Sequence, residues 1–186
     1  QSVEAQEKKV KENILTIDKV SAFKDSLQDM MPICENDYFI IAGGALRDLL
    51  TGKDIQDVDV YTTHKHMYEI TNNLCVNKQF NFINESALVI NLQHNNKLYQ
   101  IIDNRFFVHN ASNNNIKKFA KETIHSFEFT INQIAYIPKL NKFIMSENFL
   151  HDLKNKILRP IRPIEDYSHI QFFAGRVLKF LNEGYT

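Results

Sequence analysis

The sequence of 186 residues lacks net charge, a cysteine pattern and any long hydrophobic run. Because 22 basic residues balance 22 acidic ones, a nucleic acid would have to bind a local basic patch and not an overall positive field. Cys34 and Cys75 are too few for a disulfide framework and lack metal-ligand spacing, which indicates a reducing, cytoplasmic compartment. No run approaches the roughly 20 apolar residues of a membrane span, and no signal peptide is visible, so no membrane partner is expected.

The remaining composition is that of a folded domain, with 44% hydrophobic and 24% charged residues. Short strand-like runs and helical segments follow one another without regular βαβα alternation, which predicts an α+β fold. We expect a small mixed β-sheet with flanking helices and a helical C-terminal extension. The predicted units are an N-terminal helical segment (1–32), a catalytic domain (33–147) and a neck-like extension (148–186).

Two aspartates stand out in the run FIIAGGALRDLLTGKDIQDVDV, residues 39–60. The pattern predicts a buried strand, a glycine turn, a short helix and a second strand that begins near Asp57. Residues two apart in a strand face the same way, so Asp57 and Asp59 would project side by side, about 7 Å apart at the backbone. Neighbouring carboxylates repel each other unless a cation lies between them, and this pair would suit Mg²⁺ or Mn²⁺.

The residues between the two strands predict a phosphate site. Glycines at 43 and 44 would let backbone N–H groups approach an anion, and the helix that follows offers its positive end. Arg47 could bind a phosphate with its forked guanidinium, with Asp48 as a local partner. Each feature alone is common in ordinary turns and surface pairs. The ordered set of double glycine, Arg-Asp and Asp-x-Asp is the specific signal.

This ordered set resembles the first motif of the class II tRNA nucleotidyltransferase and bacterial poly(A) polymerase family, part of the polymerase β nucleotidyltransferase superfamily. The run FEFTINQIAY, residues 127–136, is similar to the family's second motif, and residues 152–159 are similar to the segment that leads out of its catalytic head. The resemblance implies Gly43, Gly44, Arg47 and Asp48 as nucleotide ligands. It also implies Asp57 and Asp59 as catalytic metal ligands.

The chain departs from the family in three places. Ser126 and Phe127 stand where the family has paired arginines, and Glu128 stands where it has aspartate. In the helix expected over residues 170–180, only Arg176, Lys179 and Phe180 fit the family pattern. The pair at 165–166 comes too early to be the motif that selects CTP and ATP. The chain thus resembles a compact, phage- or organelle-like relative, or a catalytic head without its body.

A third catalytic acid is expected in the superfamily on a nearby strand. Asp103, at the end of the run LYQIID, is one candidate, and Glu128 is the other because it takes the position of the family's aspartate. An ordinary strand-end carboxylate or a solvent-facing acid would explain each of them equally simply. The residues leave the choice open, with a preference for Glu128 from its motif position.

The resemblance implies a metal-dependent nucleotidyltransferase that transfers NMP from an NTP such as ATP to a hydroxyl acceptor, the 3′ end of an RNA, as in tRNA processing or poly(A) addition. One alternative is NMP transfer to a protein, a small molecule or tRNA as a toxin-like modification. Another is a relic that binds a nucleotide or a partner without catalysis. The sequence does not indicate an oligomeric state.

Overall fold

A computed structural model describes residues 38–106, 115–161 and 170–186, together with the isolated positions 21 and 25. The predicted N-terminal helical segment, 1–32, lies outside the described residues apart from those two positions. The described strands are β1 (Phe39–Ala42), β2 (Asp57–Thr62), β3 (Asn81–Glu85), β4 (Val89–His94), β5 (Lys97–Asp103), β6 (Ile134–Ile137) and β7 (Lys142–Met145). The described α-helices are α1 (Gly44–Leu50), α2 (His64–Asn77), α3 (Ile116–His125), α4 (Phe149–Asn155) and α5 (Ile170–Asn182).

The seven strands form one mixed sheet in the order β3-β4-β5-β2-β1-β6-β7. Strands β2 and β5 are parallel, while the other neighbouring pairs in the described sheet are antiparallel. Helices flank the sheet, and the predicted α+β class is confirmed. In the described part of the chain, every helix is too short or too polar to cross a bilayer.

Side chains alternate between the two faces of the sheet, and each face carries its own hydrophobic core. On one face, Val58 and Val60 pack with residues of α1, α2, α4 and α5, including Phe173 and Phe180. On the other face, Tyr61 and neighbouring residues pack with α3. The C-terminal helices therefore share a core with the central strands.

The segment 128–138 differs from its sequence pattern, which predicts one alternating strand. Thr130–Asn132 form a 3₁₀ turn, and β6 begins only at Ile134. The reason is tertiary: the Thr130 hydroxyl donates a hydrogen bond to Asp152, 2.6 Å away, and the Asn132 side chain accepts one from Arg47. These contacts bend the chain before it enters the sheet.

Candidate active site

A cleft of about 390 Å³ opens beside the C-terminal end of β1, an inner strand of the sheet. It lies between the double glycine, the middle of β2, the segment before β6, and α5. The described residues that line it are Gly43, Gly44, Arg47, Asp59, Tyr61, Ser126, Phe127, Glu128, Asn132, Arg176, Lys179 and Phe180. The cleft therefore combines three cationic side chains with two acidic ones.

The double glycine makes the turn from β1 into α1. Gly43 has φ = +84°, a left-handed conformation that favours glycine, and its N–H donates a hydrogen bond to the carbonyl oxygen of Ile134, 3.1 Å away. At Gly44, a methyl group would lie 3.5 Å from the guanidinium of Arg47. Both glycines line one wall of the cleft, where Gly43 is buried and Gly44 is half-buried.

The side chain of Arg47 lies on this wall, is only 7% exposed and is fixed by its neighbours. Its guanidinium donates a hydrogen bond to the side-chain oxygen of Asn132 and lies over the ring of Phe180, 4.8 Å from the centroid. Asp48 faces the same guanidinium at 3.6 Å and stands outside the residues that line the cleft. A buried, oriented guanidinium is suited to fork onto phosphate oxygens.

Asp57 and Asp59 lie on the same face of β2, with Val58 and Val60 buried on the other. Asp57 is exposed, and Asp59 is partly buried in the cleft. Burial, with a further contribution from the charge of Asp57, raises the pKa of Asp59 to about 6, while Arg176 acts in the opposite direction. The ionised form of Asp59 is therefore less stable in the folded protein than in water.

The two candidates for a third acid lie in different places. Glu128 lines the cleft and forms an ion pair with Arg176 of α5 at 2.6 Å. Asp103 is fully buried outside the cleft and is bound to Arg105 at 2.6 Å, with His64 at 3.4 Å.

The strand register explains why Asp103 stays away from the cleft. In the parallel pairing of β2 with β5, Asp103 stands opposite Thr62, and Gln100 stands opposite Asp59. Since the offset from Gln100 to Asp103 is odd, the Asp103 side chain points to the other face of the sheet. The geometry brings Glu128 to Asp59 in one cleft and leaves Asp103 in a structural ion pair.

Two contributors to the cleft were not found from the sequence as parts of the site. Asn132 contacts Arg47 across 85 residues, and Tyr61 packs against Phe127 with 5.5 Å between ring centroids. No local pattern encodes such distant pairs. The only available signal for Asn132 was its position inside the FEFTINQIAY run.

The donor set for a metal consists of two carboxylates, Asp57 and Asp59. Among the described residues, no three His, Cys, Asp or Glu side chains cluster closely enough to hold a metal ion. Mg²⁺ is commonly bound by one or two carboxylates, with waters and substrate phosphates completing its shell. Asp57 and Asp59 supply two carboxylates on one face of β2, and the charge of Asp57 is the second cause, after burial, that raises the pKa of Asp59. A cation between them would offset that repulsion, so the two residues fit such an ion.

The fold is similar to that of solved tRNA-processing enzymes. A crystal structure of tRNA nucleotidyltransferase complexed with a primer tRNA and an incoming ATP analog has a TM-score of 0.59 and 26% identity, covering 76% of this chain and 40% of that one. A structure of tRNA-processing enzyme complex 3 has a TM-score of 0.62 and 25% identity, covering 82% and 40%. A CCA-adding enzyme with ATP shares the fold at a TM-score of 0.59 and 17% identity, covering 83% and 36%.

The chain spans about two-fifths of the length of these enzymes. The likeness assigns its fold to the nucleotidyltransferase head domains of the polymerase β superfamily. A family model described as "Gad2: Gabija anti-defense 2 family protein" matches residues 8–156. Comparison with curated proteins gives no significant match.

Proposed function

The chain belongs to the Gabija anti-defense 2 (Gad2) family, and we propose that it is a metal-dependent nucleotidyltransferase. It transfers a nucleoside monophosphate from an NTP to a hydroxyl acceptor, the 3′ end of an RNA. The observation that carries this proposal is the position of Asp59, beside Asp57 on one face of β2, in a cleft that the double glycine and Arg47 also line. The family description suggests that the reaction serves an anti-defense role.

The protein's part in the reaction is to bind and orient the reactants. Gly43 and Gly44 present backbone to the triphosphate, and Arg47, fixed by Asn132 and Phe180, forks onto its oxygens. Arg176 and Lys179 of α5 add positive charge to the same cleft. These groups would neutralise the charge that develops on the leaving pyrophosphate.

Asp57 and Asp59 would hold Mg²⁺ or Mn²⁺ on the face of β2 that borders the cleft. When bound, the ion would neutralise the phosphates and activate the attacking hydroxyl. The acceptor oxygen forms a bond to the α-phosphorus, the bond from that phosphorus to the bridging β-phosphate oxygen breaks, and pyrophosphate leaves. The proton of the hydroxyl passes to solvent.

The test is incubation of the full chain with each labelled NTP and with short RNA, tRNA or a protein lysate, in Mg²⁺ or in Mn²⁺. Label on RNA that disappears in Asp57→Asn and Asp59→Asn supports the proposal. Asp54→Asn, an exposed acid just before β2, is the matched control and should retain wild-type activity. Label on protein alone would identify a modifying enzyme with the same chemistry and another acceptor.

A second candidate is a nucleotide-binding protein without catalysis. It is favoured by the ion pair between Glu128 and Arg176, because the carboxylate that lines the cleft together with Asp59 is already bound to a cation. Nucleotide binding without any transfer, and with the same affinity in EDTA as in Mg²⁺, would support this candidate. Binding that strengthens with Mg²⁺ and depends on Asp57 would support the enzyme.

A further inference from the structure

A row of carboxamide side chains crosses the sheet beside Asp59. The strand register pairs Asp59 on β2 with Gln100 on β5. Across the next two strand pairs it aligns Gln100 with Asn91 on β4, and Asn91 with Asn84 on β3. Aligned residues on neighbouring strands project from the same face. Gln100, Asn91 and Asn84, here called the amide row, therefore form a line that ends at the candidate catalytic aspartate.

Hydrogen bonds orient the amide row. The Gln100 side-chain nitrogen donates to the Asn91 side-chain oxygen at 2.9 Å, and the Asn91 nitrogen donates to the Asn84 oxygen at 2.7 Å. A carboxamide has two N–H donors and an oxygen with two lone pairs, so these two bonds use only part of its capacity. Asn84 is exposed, and the other two are half-buried. The row is thus oriented in advance and reachable by a ligand.

The amide row lies on the far side of Asp59 from the phosphate-binding wall. Gly43, Gly44 and Arg47 follow β1, which is one neighbour of β2, while Gln100 is on β5, the other neighbour. Helix α3 packs over β1, β6 and β7 on this face. The face of β3, β4 and β5 next to Asp59 therefore carries the amides, among them the exposed Asn84.

The geometry of phosphoryl transfer decides which reactant belongs there. The attacking and leaving oxygens are roughly in line through the phosphorus, so the acceptor must approach opposite to the pyrophosphate. If the triphosphate lies along Gly43, Gly44 and Arg47, the acceptor reaches the α-phosphate from the β5 side of Asp59. The amide row begins at that point.

We propose that the amide row is the docking track for the 3′-terminal nucleotides of a single-stranded RNA acceptor, an inference that rests on the proposed function. The line from Asp59 to the end of the row at Asn84 spans three strand spacings, about 14 Å, which a few linked nucleotides would cover. Carboxamides offer a donor and an acceptor together, as the edges of bases and the 2′-hydroxyl do. The charged surface of a protein acceptor would instead need side chains of opposite charge, and the three residues of the amide row are uncharged.

The experiment measures RNA binding separately from catalysis. Fluorescence anisotropy follows the full chain binding a labelled short single-stranded RNA that ends in a 3′-deoxynucleotide and cannot react. The test variant combines Asn84→Val with Asn91→Val, because valine favours strands and the sheet should remain folded. The control is Asn72→Ala, an exposed asparagine on α2, which packs on the opposite face.

We expect the double variant to bind RNA about tenfold more weakly than wild type, since each lost hydrogen bond contributes modestly. The control should bind like wild type. In turnover, KM for RNA should rise while KM for the NTP stays unchanged. Equal RNA binding by wild type and double variant would overturn the track even if the chain is an active nucleotidyltransferase.

The remaining outcomes separate the two proposals. If wild type does not bind RNA, the track is overturned, and transfer of label to protein would then show that the reaction itself stands. If RNA binding depends on the amide row and no transfer occurs to any acceptor, the track is supported and the proposed reaction fails.

Discussion

The surroundings of two carboxylates in this domain, Asp59 and Asp152, shift their pKa values in opposite directions. Asp152 on α4 is fully buried and accepts hydrogen bonds from Thr130 at 2.6 Å and from Arg159 at 2.8 and 3.0 Å. Although burial raises the pKa of Asp152, the hydrogen bonds from Arg159, Thr130 and His151 outweigh it and lower the pKa overall. Burial and Asp57 instead raise the pKa of Asp59 to about 6.

The difference separates a structural acid from a candidate functional one. Asp152 joins α4 to the turn before β6 through Thr130. Through Arg159 it also holds the segment after α4, where Pro160 forms a bridge with Phe129. Arg176, which acts on Asp59, is hydrogen-bonded to Glu128 instead. A carboxylate without such a compensating partner costs stability, and a cation from solution would supply the compensation.

The largest effect is expected on the rate of turnover. Asp57→Asn and Asp59→Asn should each lower kcat by about a thousandfold or more, because they remove the ligands of the charge-neutralising ion. Steady-state incorporation of labelled NTP measures this effect, with circular dichroism as the control for folding. Activity within about tenfold of wild type in either variant would show that the roles are misassigned.

The structural acid should show the reverse behaviour. Asp152→Ala leaves the Thr130 hydroxyl and the Arg159 guanidinium without their common acceptor, and we expect a loss of about 2 to 3 kcal/mol in the free energy of unfolding. Urea denaturation at neutral pH measures the loss. The exposed Asp54→Ala should change stability by less than about 0.5 kcal/mol. A similarly small change at Asp152 would contradict its structural role.

The pH dependence of stability should distinguish the two acids further. The folded-state pKa of Asp59 is about 6, against about 4 in the unfolded chain. Between these values the folded protein keeps a proton that the unfolded chain has lost, so this contribution falls as the pH rises from about 4 to 6 and stays reduced above. Asp59→Asn avoids this loss.

The variant should therefore match wild type near pH 4 and exceed it by about 1 to 2 kcal/mol at pH 7 without divalent cations, after allowance for solvent screening. Urea denaturation at both pH values measures the difference, and Mg²⁺ should reduce it by stabilising wild type alone. A gap that is the same at both pH values would mean that ionisation of Asp59 is not its cause.

Local pattern was sufficient for part of this site. The alternation of DVDV correctly predicted that Asp57 and Asp59 share a face opposite Val58 and Val60, and the glycine turn was correctly assigned before α1. Both features depend on residues within one or two positions of each other.

Contacts between residues far apart along the chain could not be predicted from local sequence patterns. Whether Gln100 or Asp103 stands beside Asp59 depends on the register of two parallel strands some 40 residues apart, and a shift of one residue reverses the face. The contact of Arg47 with Asn132 has the same origin. The break in the strand expected over 128–138 comes from Asp152 and Arg47, which lie far away along the chain.

The smallest expected effect concerns Glu128, which lies in the cleft but is neutralised by Arg176. Because both side chains are partly exposed, Glu128→Gln should change the free energy of unfolding by less than about 1 kcal/mol. If Glu128 only orients Arg176, KM for the NTP should rise about three- to fivefold with kcat retained, and Glu69→Gln on α2 should have no effect. A loss of kcat comparable with that of Asp59→Asn would instead make Glu128 a third catalytic acid, and its ion pair would have to open during turnover.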